Sequence, residues 1–401
     1  MKFSCEKSVP SFRQRGVSLI EFLVSIALGL AIIVAVLAVY IASRQSYRYQ
    51  ETSGRLQEDA GFALDLIAKD LRVAGFGGCL GVSAVTSTTG SPPVTSTTYF
   101  PTSGLSSANP DTINGPNPLA TVEPTNAGVT AQPLMPGSIV RGFDSLPAAY
   151  FSGTAPTSNN ANSLFFYSGG SNAVAVSAAM AAASSVLTIA SDPYKWRDET
   201  HASGVFDMVV ASCAASSLFK GKVNTAGTSI SHDAALGNAS ASLAGGAMYG
   251  VDAMVYPVEW KFYYVDTRAG AATPSLYVVS YNGNQRADPQ ELVPNVESMQ
   301  LHYGENTSVL TATPPATPVP PTLVTDVWRT SAADVSDWSR VTAVRIGLMM
   351  VSSEDNANPE VTLSTPKLLG QTYTVPTGAS TKRVRKQFST TVVLRNQIAA
   401  R

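Results

Sequence analysis

Between Glu21 and Arg44 the chain runs for 22 residues without a charge. At about 1.5 Å per residue a helix of that length spans roughly 33 Å, which matches a bilayer's hydrocarbon core of about 30 Å. One end of the protein is therefore read as a membrane-spanning helix. Ahead of it stand Lys2, Lys7, Arg13 and Arg15 against one acid, Glu6, a bias that keeps the N-terminus in the cytosol and exports the chain beyond Arg44. Two plainer readings compete: a secretory signal cleaved near Ala42, whose apolar core would usually run only about 7–15 residues, and an uncleaved signal anchor. Neither explains Glu21. A carboxylate at mid-bilayer costs about 2.5–3.5 kcal/mol, so an acid heading an apolar span points to a function.

Past Arg44 the helix is expected to continue. Leu56, Ala60, Ala63, Ile67, Leu71 and Ala74 recur at steps of three and four, an amphipathic stripe that seats the helix on a globular domain. Glu58, Asp65, Lys69 and Arg72 share another face, with Asp65 and Lys69 at the favourable i, i+4 spacing. Gly75, Gly77 and Gly78 then end it. The adjoining "GFGGCLG" is no dinucleotide loop, because Leu80 holds the third glycine's place and a helix precedes it where a strand is needed.

Charged residues make up 14 % of the 401 and the net charge is −1, so there is no global electrostatic case for nucleic acid or an acidic substrate. Residues 82–160 and about 223–247 are rich in Ser, Thr, Ala, Pro, Gly and Asn and read as long loops. Between and after them come short strand patterns: "NSLFFYSGG", "GVFDMVVASC", "AMVYPVEWKFYYVD", "SLYVVSYNG" and "SRVTAVRIGLMMVSSED". In "KQFSTTVVLRN" Phe388, Thr390, Val392 and Leu394 alternate with Ser389, Thr391, Val393 and Arg395. The expected class is α+β: one long N-terminal helix on a large antiparallel sheet with long loops. His201, His232 and His302 lie in separate segments, and no CxxC, HExxH, GxSxG or phosphate-binding loop is present. The chain is read as non-enzymatic, without cofactor or metal; "EDNANPE", Glu354 to Glu360, reads as a turn and not a calcium loop.

Three features carry a resemblance. Basic residues, Gly16 and then "VSLIEFLVS" resemble the class III signal of type IV pilins and pseudopilins. The resemblance implies that prepilin peptidase cuts between Gly16 and Val17 and N-methylates Val17. It makes Glu21 a subunit-docking group, about 6 Å along the helix from the new amine, which pairs with the amine of a neighbouring subunit in low dielectric. Val17 stands where the family usually has Phe, and Ala38 where it has a helix-melting proline. "DLRVAGFGGC", "LVPNVESMQLHYG" and "FSTTVVLRN" further resemble the PilW family of minor pilins and, more distantly, the J-type pseudopilins of type II secretion.

That family implies a pilin-like fold divided into a leader at 1–16, a filament helix at 17–43, its amphipathic continuation at 44–75 and a periplasmic β-rich domain at 76–401. It implies a priming or tip complex with other minor pilins and the major pilin, joined by a PilY-type adhesin, that supports twitching and adhesion. The chain would sit in the inner membrane before assembly and on the pilus afterwards. A secretion pseudopilus tip and a helix-anchored adhesin stay open as alternatives.

Two further groups are singled out. Cys79 and Cys213 are both exported on this topology and are expected to form a disulfide, while Cys5 would leave with the leader. Lys382, Arg383, Arg385 and Lys386 form the one dense basic cluster. It is read as a solvated or edge-protecting strand entry and not a nucleic-acid contact, because no aromatic platform flanks it.

Overall fold

The computed structural model describes residues 16, 18–76, 97–99, 139–146, 161–197, 204–212, 215–236, 238, 241–243, 248–268, 270–283, 287–307, 325–336, 338–355, 366–376 and 379–398. The first helix, α1 (Leu19–Val73), opens at Ser18. The Ser18 Oγ accepts the Glu21 amide at 3.2 Å and its carbonyl accepts the Phe22 amide at 3.1 Å. The side chain thereby satisfies one of the donors that a helix start leaves orphaned. Residues to Ser53 form one compact unit, and those from Gly54 belong to a second.

In the second unit Leu56, Ala60, Ala63, Ile67, Leu71 and Ala74 are each 3 % exposed or less, whereas Glu58, Asp65, Lys69 and Arg72 face solvent. The apolar stripe lies against the sheet because burial there removes a whole helix face from water. Gly75 ends the helix at φ +71, a conformation that L side chains rarely adopt, and a Cβ there would collide with Ile139. Its amide donates to the Tyr167 carbonyl at 2.7 Å. From the far end of the chain, Asn396 Nδ2 donates to the Ala74 carbonyl at 2.9 Å, closing one of the helix's last open acceptors.

The remainder is mostly strand. β1 (Thr97–Tyr99), β2 (Val140–Phe143), β3 (Ser163–Gly169), β4 (Val174–Ala178), β5 (Leu187–Ile189) and β6 (Val205–Ala211) are followed by β7 (Ala215–Val223) and β8 (Ser229–Ser231). With β9 (Met254–Asp266), β10 (Ser275–Tyr281) and β11 (Gln290–Pro294) they make one eleven-stranded sheet among the described residues. β12 (Val296–Glu305), β13 (Val327–Arg329), β14 (Val341–Val351), β15 (Lys367–Leu368), β16 (Gln371–Thr372) and β17 (Arg385–Val393) come next, then a single turn of helix, α2 (Arg395–Ile398). A four-stranded sheet has the order β13-β12-β14-β17, and β15 and β16 form a ribbon. The long helix with a large antiparallel sheet domain is thus present. The β component divides into two main sheets, and β1 pairs with β7 in parallel.

β9 is the trunk of the larger sheet. Its first half pairs with β4 and β6, its second half with β3 and β10. Pro257 sits at the changeover, where a residue with no N–H to give costs least, and its carbonyl accepts the Gly170 amide at 2.7 Å. Two main cores result. The larger joins the helix stripe to Phe165, Phe262, Leu276, Leu301, Ile346 and Leu394. The second, built from residues 174–255, gathers Val176, Leu187, Met208, Phe219, Ile230 and Val255.

Within the stretch 223–247, read as a loop, the second core takes in one short strand and one buried leucine. Ile230, at 0 % exposed, sits on β8, which pairs with both β5 and β7, and Leu243 is 4 % exposed. Neither signal shows in composition, because the short strand carries one apolar residue and draws the rest of its order from backbone pairing. Much of the 82–160 stretch lies outside the described residues.

Candidate functional site

The N-terminal unit presents its apolar side chains outward. Leu19 is 78 % exposed, and Ile20, Phe22, Leu23, Ile32, Ile33, Leu37 and Ile41 are all exposed as well. An unbroken apolar cylinder of this length is long and greasy enough to cross a membrane. Glu21 lies exposed in its first turn, and its carbonyl accepts Ser25 Oγ at 2.7 Å. Gly16 is exposed, and Val17 lies outside the described residues.

Ser18 and Glu21 also stand in the S-x-x-E spacing of a capping box, a signal that the sequence carried and that was not drawn from it. The observed half is Ser18 holding the Glu21 amide. The carboxylate stands in the first turn, at the positive end of the helix dipole. Ser18 thus starts the helix locally, and the Glu21 side chain is exposed.

The basic cluster is not a free cationic surface. Arg385 makes a bidentate pair with Glu297, Nε–Oε2 2.6 Å and Nη2–Oε1 2.8 Å, with both side chains 5 % exposed or less. Arg383 binds Asp355 at 3.1 Å and the Ser352 carbonyl at 3.1 Å. The Asp355 carboxyl is held below its ordinary range by the Ser380 hydroxyl first and Arg383 next. Lys382 is exposed, and Lys386 is half-buried with an interaction of its own. Two of the four cations therefore hold the start of β17 onto its sheet, which limits what the cluster offers a polyanion.

Several buried or half-buried acids were missed by sequence reading. Asp70 lies on the buried side of α1, where its carboxylate takes Lys261 Nζ at 2.7 Å and the hydroxyl of Tyr263. Asp207 on β6 faces Lys220 across the ladder to β7 and accepts Tyr281 OH at 2.9 Å; burial lifts its pKa to about 6, against the pull of Lys220 and Tyr281. Asp144 accepts the Ala332 amide at 2.9 Å and Ser331 Oγ at 2.5 Å. Each carboxylate answers donors from a distant part of the chain, a pattern of structural pins. Among the described residues no three His, Cys, Asp or Glu groups converge on a metal position. Cys79 and Cys213 lie outside the described residues.

The described geometry therefore offers an exposed apolar helix headed by one carboxylate and a pinned β domain. Residues 262–396 match the family model for type IV pilus-assembly protein W, PilW. No curated relative matches the chain. Among solved structures, a type IV-like pilin from Thermus thermophilus aligns at 16 % identity over 48 % of this chain and 85 % of that one, with a TM-score of 0.20. The resemblance read from "LVPNVESMQLHYG" and "FSTTVVLRN" is borne out, and from the second half of β9 to α2 the chain is similar to the PilW family of type IV pilus-assembly proteins.

Proposed function

We propose that this type IV pilus-related pilin is a minor pilin that helps initiate pilus assembly and sits in the priming or tip complex, supporting twitching and adhesion. One observation carries the reading: an exposed apolar helix with a carboxylate in its first turn, on a chain whose C-terminal third matches PilW. Lipid would cover the apolar face before assembly. In a filament the same face would pack against other subunit helices, and Glu21 would pair with a neighbour's N-methylated amine. Cleavage between Gly16 and Val17 by prepilin peptidase would create this chain's own amine. The partners are other minor pilins, the major pilin and a PilY-type adhesin; the mature chain moves from inner membrane to pilus.

Pilus counts by electron microscopy test it in wild type, a deletion strain and a Glu21→Ala strain. Glu21→Ala should insert normally, since removing an acid lowers the insertion cost. Both mutants should show at least tenfold fewer pili with the major pilin still in the membrane, and abolishing retraction should restore some. Normal counts in both mutants defeat the proposal, and lost secretion with intact pili moves the chain to a secretion pseudopilus.

A further inference from the structure

We propose that the outer edge of β17 is a strand-addition site for an extended, acid-flanked segment of a partner protein. In the four-stranded sheet β17 pairs with β14 on one side, and no described strand pairs with the other. The register decides which groups are left over. The Leu394 amide donates to the Thr342 carbonyl at 2.8 Å, and the Ser352 amide to the Val384 carbonyl at 2.9 Å. Even-numbered residues of β17 therefore turn their backbone toward β14, and Gln387, Ser389, Thr391 and Val393 turn theirs away. All four are exposed.

Edge strands attract other chains, and proteins commonly blunt them by shortness, charge, proline or a bulge. The other described edges conform to that practice. β13 has three residues, β11 carries Glu291 and Pro294 beside a register shift, and β2 is four residues long and wholly buried. β17 has nine residues, and from Gln387 to Val393 it holds no charge, proline or glycine. On its inner face Phe388 is only partly covered, so a strand added alongside would shield its ring. The basic cluster expected to protect this edge reaches only its first two residues, Arg385 and Lys386, and Arg385 is drawn away into Glu297.

Charge selects the occupant. The uncharged run is bracketed by exposed Lys382 and half-buried Lys386 before it and exposed Arg395 after it, while Arg383 and Arg385 are matched by Asp355 and Glu297, so both flanks keep a net positive charge. A second copy paired antiparallel through this edge would bring its Arg395 to the first copy's strand start, which stays net positive through Lys382 and Lys386 after Arg383 and Arg385 are paired. A parallel pairing would set cation against cation along both ends. Like charges directly across a ladder are unfavourable. The edge therefore fits a different chain: about five uncharged residues, apolar toward Phe388, with carboxylates at both ends. Main-chain bonds would supply affinity and the flanks register.

The test uses the detergent-solubilised full chain and a fluorescein-labelled peptide, Asp-Asp-Val-Thr-Val-Thr-Val-Asp-Asp, read by anisotropy at low salt. Saturable binding is expected, at least tenfold weaker when alternate amides are N-methylated or when Lys replaces Asp. Ser389→Pro should abolish it, because that amide points away from β14 and its loss costs no native ladder bond. Ser389→Lys, which keeps the backbone intact, should weaken it at least fivefold and guards against a folding failure in the proline variant. Absence of binding, or binding indifferent to N-methylation and to both variants, overturns the proposal. A dimer of the chain that Ser389→Pro dissociates also overturns it, by making a second copy the occupant.

Discussion

Replacing Asp70 with alanine should separate the pinned helix from an ordinary packed one. The Asp70 side chain is 12 % exposed and holds both Lys261 Nζ, at 2.7 Å, and Tyr263 OH on one oxygen. Lys261 is about a third exposed, so its share of the pair is worth about 1 kcal/mol after solvent screening. Tyr263 is 1 % exposed, and its orphaned hydroxyl costs about 1–3 kcal/mol. Asp70→Ala should therefore destabilise by about 2–4 kcal/mol. Adding Tyr263→Phe should recover about 1 kcal/mol, because the unpaired hydroxyl is gone while the ring still stacks on Phe166. Urea unfolding in detergent, monitored by the four tryptophans, reports on the right unit, since all of them lie beyond residue 190. A loss under about 0.5 kcal/mol, or a double mutant less stable than Asp70→Ala, refutes the reasoning.

Acidification tests the second core. Asp207 has its folded-state pKa raised to about 6, so the folded form binds the proton more tightly than the unfolded form, and stability rises as pH falls through that value. Between pH 7.5 and 5 wild type should gain about 1.4 kcal/mol relative to Asp207→Asn, read as a difference in urea midpoint; parallel pH profiles of the two proteins contradict the assignment. Arg385→Ala should cost about 3–5 kcal/mol by stranding the buried Glu297, whereas Lys382→Ala should stay within about 0.5 kcal/mol; equal effects in thermal unfolding would return the cluster to solvent. Cys79 and Cys213 should appear as a linked pair in non-reducing peptide mapping of periplasm-derived protein, and alkylation of both thiols without reductant rejects the bond.

The features legible in the sequence were the periodic ones. The six stripe residues, five in α1 and Ala74 just after it, read correctly because a 3.6-residue period needs only one neighbouring surface. The alternation at Phe388, Thr390, Val392 and Leu394 read correctly because one face of β17 is covered and the other is not. Pairings across long separations were not legible. Asp70 falls three residues after Ile67, on the stripe's own side, yet its partners sit on β9, 191 and 193 residues away. The four adjacent cations looked like a patch because sequence records their proximity and not the direction of each side chain. The strand start turns Arg383 and Arg385 toward Asp355 and Glu297, and only the fold brings those acids there. At the N-terminus the Ser18–Glu21 cap was within reach of pattern reading, because S-x-x-E is a local signal.

Mass spectrometry of sheared pili tests the central claim most directly. A processed minor pilin should yield a tryptic N-terminal peptide that begins at N-methylated Val17 and ends at Arg44, in amounts far below the major pilin. Tryptic peptides from this chain's β domain should be missing from pili of a Glu21→Ala strain in which membrane-bound protein remains at wild-type amounts. A chain retained in the membrane and absent from filaments, a mature terminus near residue 43, or an intact residue 1–16 segment in pilus fractions would contradict the account.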